Sequence, residues 1–356
     1  AGFLGSRRSI SLEPLRFERH SADRMFGPSL LRLMVVLAVL ALAPPAPAAA
    51  RRETFGHPTR PTMVRVRDWA RAHGLLVKWV ERDKVLQITK GDFKLVLNAN
   101  SREARINGVQ VWLLKAFEYR DNAGYLSQLD VNHTINPLLY PPRNVGKNRV
   151  RRICLDPGHG GKDPGFQVGS HPEQRYTLLL AQELRRQLAQ AGYTVILTRT
   201  TDSTVDLPAR PALARKVGAD LFISLHFNAA DKTRATARGT EAYCLTPAGA
   251  SSTAAGSDGP TLGSLLGNRH DAKNFLLAYH VQRSLVRKLG SEDRGVRRAR
   301  FAVLRDATMP AILVEPGFLS HPVEGRKIVE AAYRQKIATA IVDGVRAYRR
   351  VVERQK

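Results

Sequence analysis

Four residues combine side chains and positions that suit hydrolytic chemistry: His159, Glu173, His226 and Glu315. His159 follows the apolar run Ile153-Cys154-Leu155 and sits among Gly158, Gly160 and Gly161. His226 follows "LFISL", and Glu315 follows "AILV". An imidazole or carboxylate at the end of a buried strand is costly unless it is paired or coordinated. One such residue carries little information; several on separate strands suggest a shared rim. Glu173 opens an amphipathic pattern in "HPEQ", where the helix dipole alone would favour a first-turn acid. Two histidines and one carboxylate with an open fourth position form the ligand set of a catalytic zinc. A remaining acid is what hydrolysis needs to carry protons. The spacing is not the compact His-Glu-x-x-His of a zincin, so spacing alone leaves bland readings open: a solvated loop histidine, and a Gly-Gly pair that merely turns the chain.

The glycine-rich loop "CLDPGHGGKDPG" excludes two other chemistries. A phosphate-cradling loop needs Gly-Lys-Ser/Thr, and here Asp163 follows Lys162. A dinucleotide fingerprint needs a helix directly after the glycines, and none is predicted there. Asp156 and Asp163 are expected to brace the loop by accepting bonds from backbone N–H groups.

Two folded parts must position these residues. Residues 51–61 are polar and proline-containing and read as a linker. Residues 62–142 carry a small α+β pattern: a helix in "MVRVRDWARAHG", short strands in "LLVKWV", "KVLQIT" and "FKLVLN", a hairpin at Asn107-Gly108, and a closing helix in "GYLSQLDVNHTINPLLYPP". His133 is alone there and is expected to be solvated. From Val150 to about residue 353, strand and helix patterns alternate, as in a sheet with helices on both faces. "EGRKIVEAAYRQKIATAIVDGVRAYRRVV" reads as one long closing helix. In such folds sites gather where strands end in loops.

Lys and Arg number 56 against 31 Asp and Glu, a formal charge of +25 spread along the 356-residue chain. Spread charge argues against a nucleic-acid arm and leaves anionic envelope polymers as candidate partners of a basic surface. Residues 1–50 read as an upstream extension and a signal peptide. Met25 is a plausible start, the apolar core after Arg32 is too short to span a bilayer, and Ala-x-Ala patterns end at Ala48 and Ala50. Export without a stable membrane span is the expectation, to a periplasm or cell wall. Cys154 and Cys244 sit in strand-like runs, too few for a disulfide scaffold or a cysteine zinc site; whether they pair is left open.

"LDPGHGGKDPG", a glutamate before an amphipathic helix, "VILTRTTD", "ISLHFNA", "DRGVRRARFAVLR" and "PAILVEPGFLSHPVEG" occur in this order. Together they resemble the zinc-dependent N-acetylmuramoyl-L-alanine amidases of bacterial cell-wall turnover, over about residues 151–350. The resemblance implies an α/β fold with a mixed sheet flanked by helices, of phosphorylase/hydrolase-like type. It implies Zn2+ held by His159, Glu173 and His226, Glu315 as the catalytic glutamate, and peptidoglycan as substrate. Gln174, Thr177 and His321 depart from the usual pattern; His321 is not expected to be a ligand, and His171 is a spare histidine near Glu173. Some family members block the zinc with an inserted helix; the Gly- and Ser-rich segment 247–270 shows no pattern for one. Whether a protein activator exists is open. Residues 62–142 more weakly resemble the small domain named from the N-terminal region of copper amine oxidases, which implies no copper here and leaves an envelope adaptor or a spacer as its role. The competing functional readings are a zinc carboxypeptidase acting on stem peptides and a non-catalytic wall-binding protein.

Overall fold

Alternating apolar residues shape the first sheet region in the computed structural model, which describes residues 62–145, 149–254, 259–261 and 263–353. The readings of a leader over 1–50 and a linker over 51–61 lie outside the described residues. β1 (Met63–Arg65) runs straight into α1 (Val66–Ala72), which buries Val66, Trp69 and Ala70. An antiparallel meander follows: β2 (Leu76–Glu81), β3 (Val85–Lys90), β4 (Phe93–Asn98), β5 (Ser101–Ile106), β6 (Val109–Arg120) and β7 (Ala123–Ser127). In β4 the period of two is clear: Phe93, Leu95 and Leu97 are buried while Lys94 and Asn98 are exposed. The β5–β6 turn places Asn107 and Gly108 at φ +48° and +83°, the left-handed pair that a two-residue hairpin needs.

The expected closing helix of this region begins later than its pattern suggested. Residues 123–127 pair with β6 as β7 and also with β1. The Ser127 hydroxyl then accepts from Asp130 N and starts α2 (Gln128–Asp130), a π turn over Val131–Ile135, and α3 (Asn136–Leu139). His133 lies in that turn and is half-buried rather than solvated, with Arg298 Nη2 donating to its carbonyl at 2.7 Å.

β8 (Arg152–Pro157) begins the α/β region. A short hairpin, β9 (Gln167–Val168) and β10 (His171–Pro172), leads into α4 (Glu173–Gln190), followed by β11 (Thr194–Leu197), α5 (Ala209–Lys216), β12 (Leu221–Leu225) and β13 (Thr240–Leu245). Then come α6 (Asp271–Leu289), β14 (Asp293–Ala299), α7 (Ala302–Arg305), β15 (Ala311–Glu315), α8 (Pro322–Val329) and α9 (Ala331–Val352). Among the described residues of 247–270 the only helix is a 3-10 turn over Leu266–His270, directly before α6. The closing helix is broken in two: Glu330 adopts extended backbone, φ −78° and ψ 131°, although the apolar spacing runs through it.

β11, β8, β12 and β15 are parallel, β13 runs antiparallel to β15, and β14 is parallel to β13. This is a mixed sheet with both faces covered, which explains its uninterrupted apolar strands. Ile153, Leu155, Leu221, Ile223 and Leu225 face a core shared with α4, α6 and α9. Cys154 and Phe222 face the other core, with Ala214, Val303 and Leu304. Cys244 lies in the first core and Cys154 in the second, so the sheet separates the two buried, unpaired thiols. Burial pushes them up, to about 12 for Cys154 and about 11 for Cys244.

The two sheet regions are continuous. Val111 of β6 pairs in parallel with Val296 of β14, Gln110 N donates to Asp293 Oδ2 at 2.8 Å, and Trp112 Nε1 donates to the Arg294 carbonyl at 2.9 Å. Arg298 is buried across this junction, with its guanidinium over the Phe275 ring and bonded to His133 O and Thr134 Oγ1.

Candidate metal centre

The parallel strands β8, β12 and β15 end on one rim, and the loops that follow carry the candidate residues. His226 is the first residue after β12, and its N–H donates to the Val314 carbonyl at 3.0 Å. That bond continues the β12–β15 ladder and sets His226 beside Glu315, the last residue of β15. Gly158 N donates to the Leu225 carbonyl at 2.9 Å, tying the end of β8 to the end of β12. Gly158 also needs to be glycine, because a β-carbon there would lie 2.3 Å from the His226 ring.

Glu173 is the hub. It opens α4, is 4% exposed, and receives two backbone donors: Phe166 N on Oε2 and Phe227 N on Oε1, each at 3.0 Å. Its Oε1 lies 3.2 Å from His159 Nε2 and 3.1 Å from His226 Nδ1. Ligand atoms of the three residues all lie within 4.8 Å of one another. Gly165, at φ +65°, passes so close that a β-carbon would sit 2.6 Å from His159 Cδ2 and 2.7 Å from Glu173 Oε2. The glycines of the loop therefore serve the approach of three side chains as well as the turn.

His159 is itself left-handed, at φ +61°, an uncommon conformation for a residue with a β-carbon. Several bonds hold it there. Asp163 Oδ2 binds its Nδ1 at 2.8 Å, Arg210 Nη2 donates to its carbonyl at 3.0 Å, and Gly160 and Asp163 bridge through their backbones. Asp163 also accepts from Gly165 N at 3.0 Å, as expected of a bracing residue. Asp156 differs from the expectation: it is fully buried and takes side-chain donors instead, Thr198 Oγ1, Ser224 Oγ and Arg210 Nη1.

The supporting layer was not foreseen. Buried Arg199 donates to the carbonyls of Pro157, Gly158 and Gln174, and Arg210 to those of Pro157 and His159. Asp202 accepts from Gly161 N and from Gln174 Nε2. Thr177 Oγ1 donates to the Gly158 carbonyl at 2.9 Å, so the two departures from the family pattern after Glu173 both brace the histidine loop. Arg199 and Asp202 stand in "VILTRTTD", one of the motifs of the resemblance, but nothing local in that string gives either a role. His171 bonds the Tyr176 hydroxyl, and His321 caps α8, its Nδ1 accepting from Val323 N and Glu324 N; neither joins the cluster.

Charge is concentrated here. Burial opposes ionisation of Glu173, but hydrogen bonds from both histidines and their charges hold its carboxyl well below the usual range. Burial likewise disfavours the charged His159, yet Glu173 and Asp163 outweigh it and raise its pKa. Glu315 moves the other way: burial, then the charges of Glu173 and Glu241, push it well above the usual carboxylate range. Its Oε2 is shielded from solvent and has no hydrogen-bond partner among the described residues. Glu241 stands opposite Glu315 on β13 and is engaged by Arg294, Arg297 and Tyr243.

The cluster fits a tetrahedral cation. Nitrogen and oxygen ligands bonded at about 2.0–2.1 Å stand roughly 3.3 Å apart along a tetrahedral edge, close to the 3.1 and 3.2 Å contacts of Glu173 Oε1. A carboxylate against two neutral-capable imidazoles is a zinc donor set, and the carboxylate-to-Nδ1 contact on His159 is the usual outer support of a ligating histidine. Such a centre on the rim of an α/β sheet defines a candidate metal-dependent hydrolase.

A family model described as N-acetylmuramoyl-L-alanine amidase matches residues 153–347, and one described as the copper amine oxidase N-terminal domain matches residues 59–136. The chain belongs to the N-acetylmuramoyl-L-alanine amidase family. AmiC of Neisseria meningitidis serogroup B is 37% identical over 231 residues, covering 58% of this chain and 55% of the relative. AmiA of Escherichia coli K12 is 35% identical over 241 residues, covering 60% and 82%. The chain thus spans about half the length of AmiC and most of AmiA. Among solved structures, an N-acetylmuramoyl-L-alanine amidase from Clostridium difficile 630 is 33% identical, covers 56% of this chain and 97% of its own, and superposes with a TM-score of 0.47.

Proposed function

We propose that the chain is an exported, zinc-dependent peptidoglycan hydrolase that cleaves the amide between N-acetylmuramic acid and the L-alanine of the stem peptide. The observation that carries this reading is Glu173 Oε1 set between His159 Nε2 and His226 Nδ1, with the unpartnered Oε2 of Glu315 at the end of the adjoining strand. His159, Glu173 and His226 would hold the zinc. Bound zinc supplies Lewis-acid polarisation and lowers the pKa of water from 15.7 to about 7, on the order of 12 kcal/mol of proton affinity.

The chain's own residues then divide the remaining work. Phe166 N and Phe227 N fix both oxygens of Glu173 and keep it from rotating. Asp163 selects the His159 tautomer that leaves Nε2 free to ligate. Glu315 takes a proton from the attacking water at Oε2 and delivers it to the departing alanine nitrogen. Its Oε2, shielded from solvent and without a hydrogen-bond partner among the described residues, is free to hold that proton between the two transfers. The products are a lactyl carboxylate on the glycan and a free stem peptide.

Residues 150–353 form the catalytic domain in this reading, and residues 62–142 an envelope adaptor fused to its sheet. The Gly- and Ser-rich pattern of 247–270 supports an enzyme without a built-in blocking helix; cleaving that segment by limited proteolysis should leave activity unchanged, and a large activation would overturn this. Among the described residues no helix is long and apolar enough to cross a membrane; export to periplasm or cell wall rests on the family and on the leader pattern. Mass analysis of purified sacculi digested by the chain tests the reading. Release of intact stem peptides from the sugars supports it, whereas shortened stems still attached to glycan would identify a carboxypeptidase.

A further inference from the structure

Away from the catalytic rim, α6 and α9 cross at close range. A β-carbon at Gly344 would stand 2.6 Å from Val281 Cα, so only glycine lets the two backbones meet there. Outside this crossing a groove of ≈ 520 Å³ is lined by Arg283, Arg287 and Lys288 of α6 and by Asp343, Arg346 and Arg350 of α9. Asp343 is the groove's lining carboxylate, and Lys288 engages it at 3.6 Å. Arg283, Arg287, Arg346 and Arg350 have no ion-pair or hydrogen-bond partner among the described residues.

The arrangement brings like charges together on both helices. Arg283 and Arg287 are four residues apart on one helix, and Arg346 and Arg350 four apart on the other. Like charges at that spacing repel and weaken a helix. His280, which also lines the groove, is pushed down to about 4 by burial and then by the charges of Arg283 and Arg350, so it adds no charge at neutral pH. Each arginine pair is separated by about 6 Å along its helix, which gives two short rows of cations on facing walls.

Three observations narrow the occupant. The site is a recess between two helices, lined by residues of both α6 and α9, not a flat face. A helix that lies on a bilayer carries apolar side chains beside its basic ones, and none of the exposed large apolar side chains among the described residues lies on α6 or α9. The four unpartnered cations are all arginine, whose planar fork presents paired donors to phosphate oxygens. We propose that the α6–α9 groove is a binding site for a linear, phosphate-bearing polyanion of the cell envelope, separate from the His159–Glu173–His226 centre, which tethers the enzyme.

The test uses the full chain with long-chain inorganic polyphosphate as probe, titrated at several salt concentrations by calorimetry. Poly-L-glutamate and phosphatidylglycerol vesicles serve as carboxylate and membrane comparisons. The variant combines Arg283→Gln, Arg287→Gln, Arg346→Gln and Arg350→Gln. A control removes the same charge elsewhere, through Arg67→Gln, Arg71→Gln, Arg215→Gln and Lys216→Gln, all exposed. Polyphosphate affinity is expected to fall at least tenfold in the groove variant and less than threefold in the control. The logarithmic salt slope should shrink by roughly 3 in the groove variant, about 0.7 per lost phosphate contact. The double variant Arg287→Gln, Arg346→Gln alters only exposed side chains and should show about half that loss of slope. Equal losses in groove variant and control would overturn the proposal, because net charge alone would then explain binding. Tighter groove-dependent binding of poly-L-glutamate or of vesicles would overturn it as well.

Discussion

Asp163 Oδ2 meets His159 Nδ1 at 2.8 Å, while the opposite ring nitrogen faces Glu173 at 3.2 Å. One carboxylate thus holds the imidazole whose other face meets a second carboxylate. Asp163→Ala should leave the fold intact, since the Asp163 side chain is 62% exposed, but free the ring to rotate and change tautomer. Zinc affinity measured by chelator competition should drop about 10–100-fold, the usual effect of losing such a support. Unchanged affinity would mean that the loop backbone alone orients His159.

The site residues are expected to separate by metal content. His159→Ala and His226→Ala should lose both zinc and activity, because two ligands rarely hold the ion. Glu173→Ala should weaken zinc and also release Phe166 N and Phe227 N. Glu315→Gln should keep zinc while turnover falls ~10²–10⁴-fold, the typical loss for a general acid–base. Elemental analysis and muropeptide hydrolysis on the same preparations check this; a zinc-free Glu315→Gln with a zinc-replete Glu173→Ala would reverse the two roles.

Proton competition gives a pH prediction for zinc. The pKa of His159 is raised in the zinc-free protein, because Glu173 and Asp163 outweigh its burial. Zinc must displace that proton. Affinity should therefore weaken as pH falls through the raised value, and Asp163→Ala should shift the weakening to lower pH. Dissociation constants measured across pH 5–8 would show it; an upward shift in the variant would contradict the assignment.

Glu315 carries a second pH signature, in stability. Folding raises its pKa, so the zinc-free folded protein keeps a proton that the unfolded chain releases. Stability from this group is present below the unfolded value of about 4.3, falls as pH rises toward the folded value, and is level beyond it. Glu315→Gln removes the loss. In chelator-treated protein the variant should match the parent near pH 4 and melt at progressively higher temperature than the parent as pH rises. A margin that narrows with rising pH would mean that the carboxyl is not held protonated.

Arg298 should be the costliest single truncation at the junction of the two sheet regions. Arg298→Ala leaves the His133 carbonyl and Thr134 hydroxyl without their donor and opens a cavity over Phe275. A loss of about 3 kcal/mol in urea denaturation is expected, with the metal centre untouched in zinc-binding assays.

The candidate centre was legible because chemistry sits where apolar runs stop. His159, His226 and Glu315 each follow a buried strand, and such strands are among the plainest features of a sequence. The layer behind them was hidden. Arg199 and Arg210 read as surface charge, and only folding brings their guanidinium groups under the carbonyls of 157–159. β14 was opaque for a similar reason: "DRGVRRA" looks solvent-exposed, yet its arginines lie over the rings of Phe318, Trp112 and Phe275. The break at Glu330 left no trace, because the apolar spacing is the same on both sides.

The strand path from β11 to β2 crosses eleven strands without a gap, and neighbouring strands lie about 4.8 Å apart, so it is close to 50 Å wide along the hydrogen-bonding direction. A sheet does not flex like a tether. A contact made on β2 would therefore be carried through the sheet to the rim of β8, β12 and β15 by paired backbone and not by a linker.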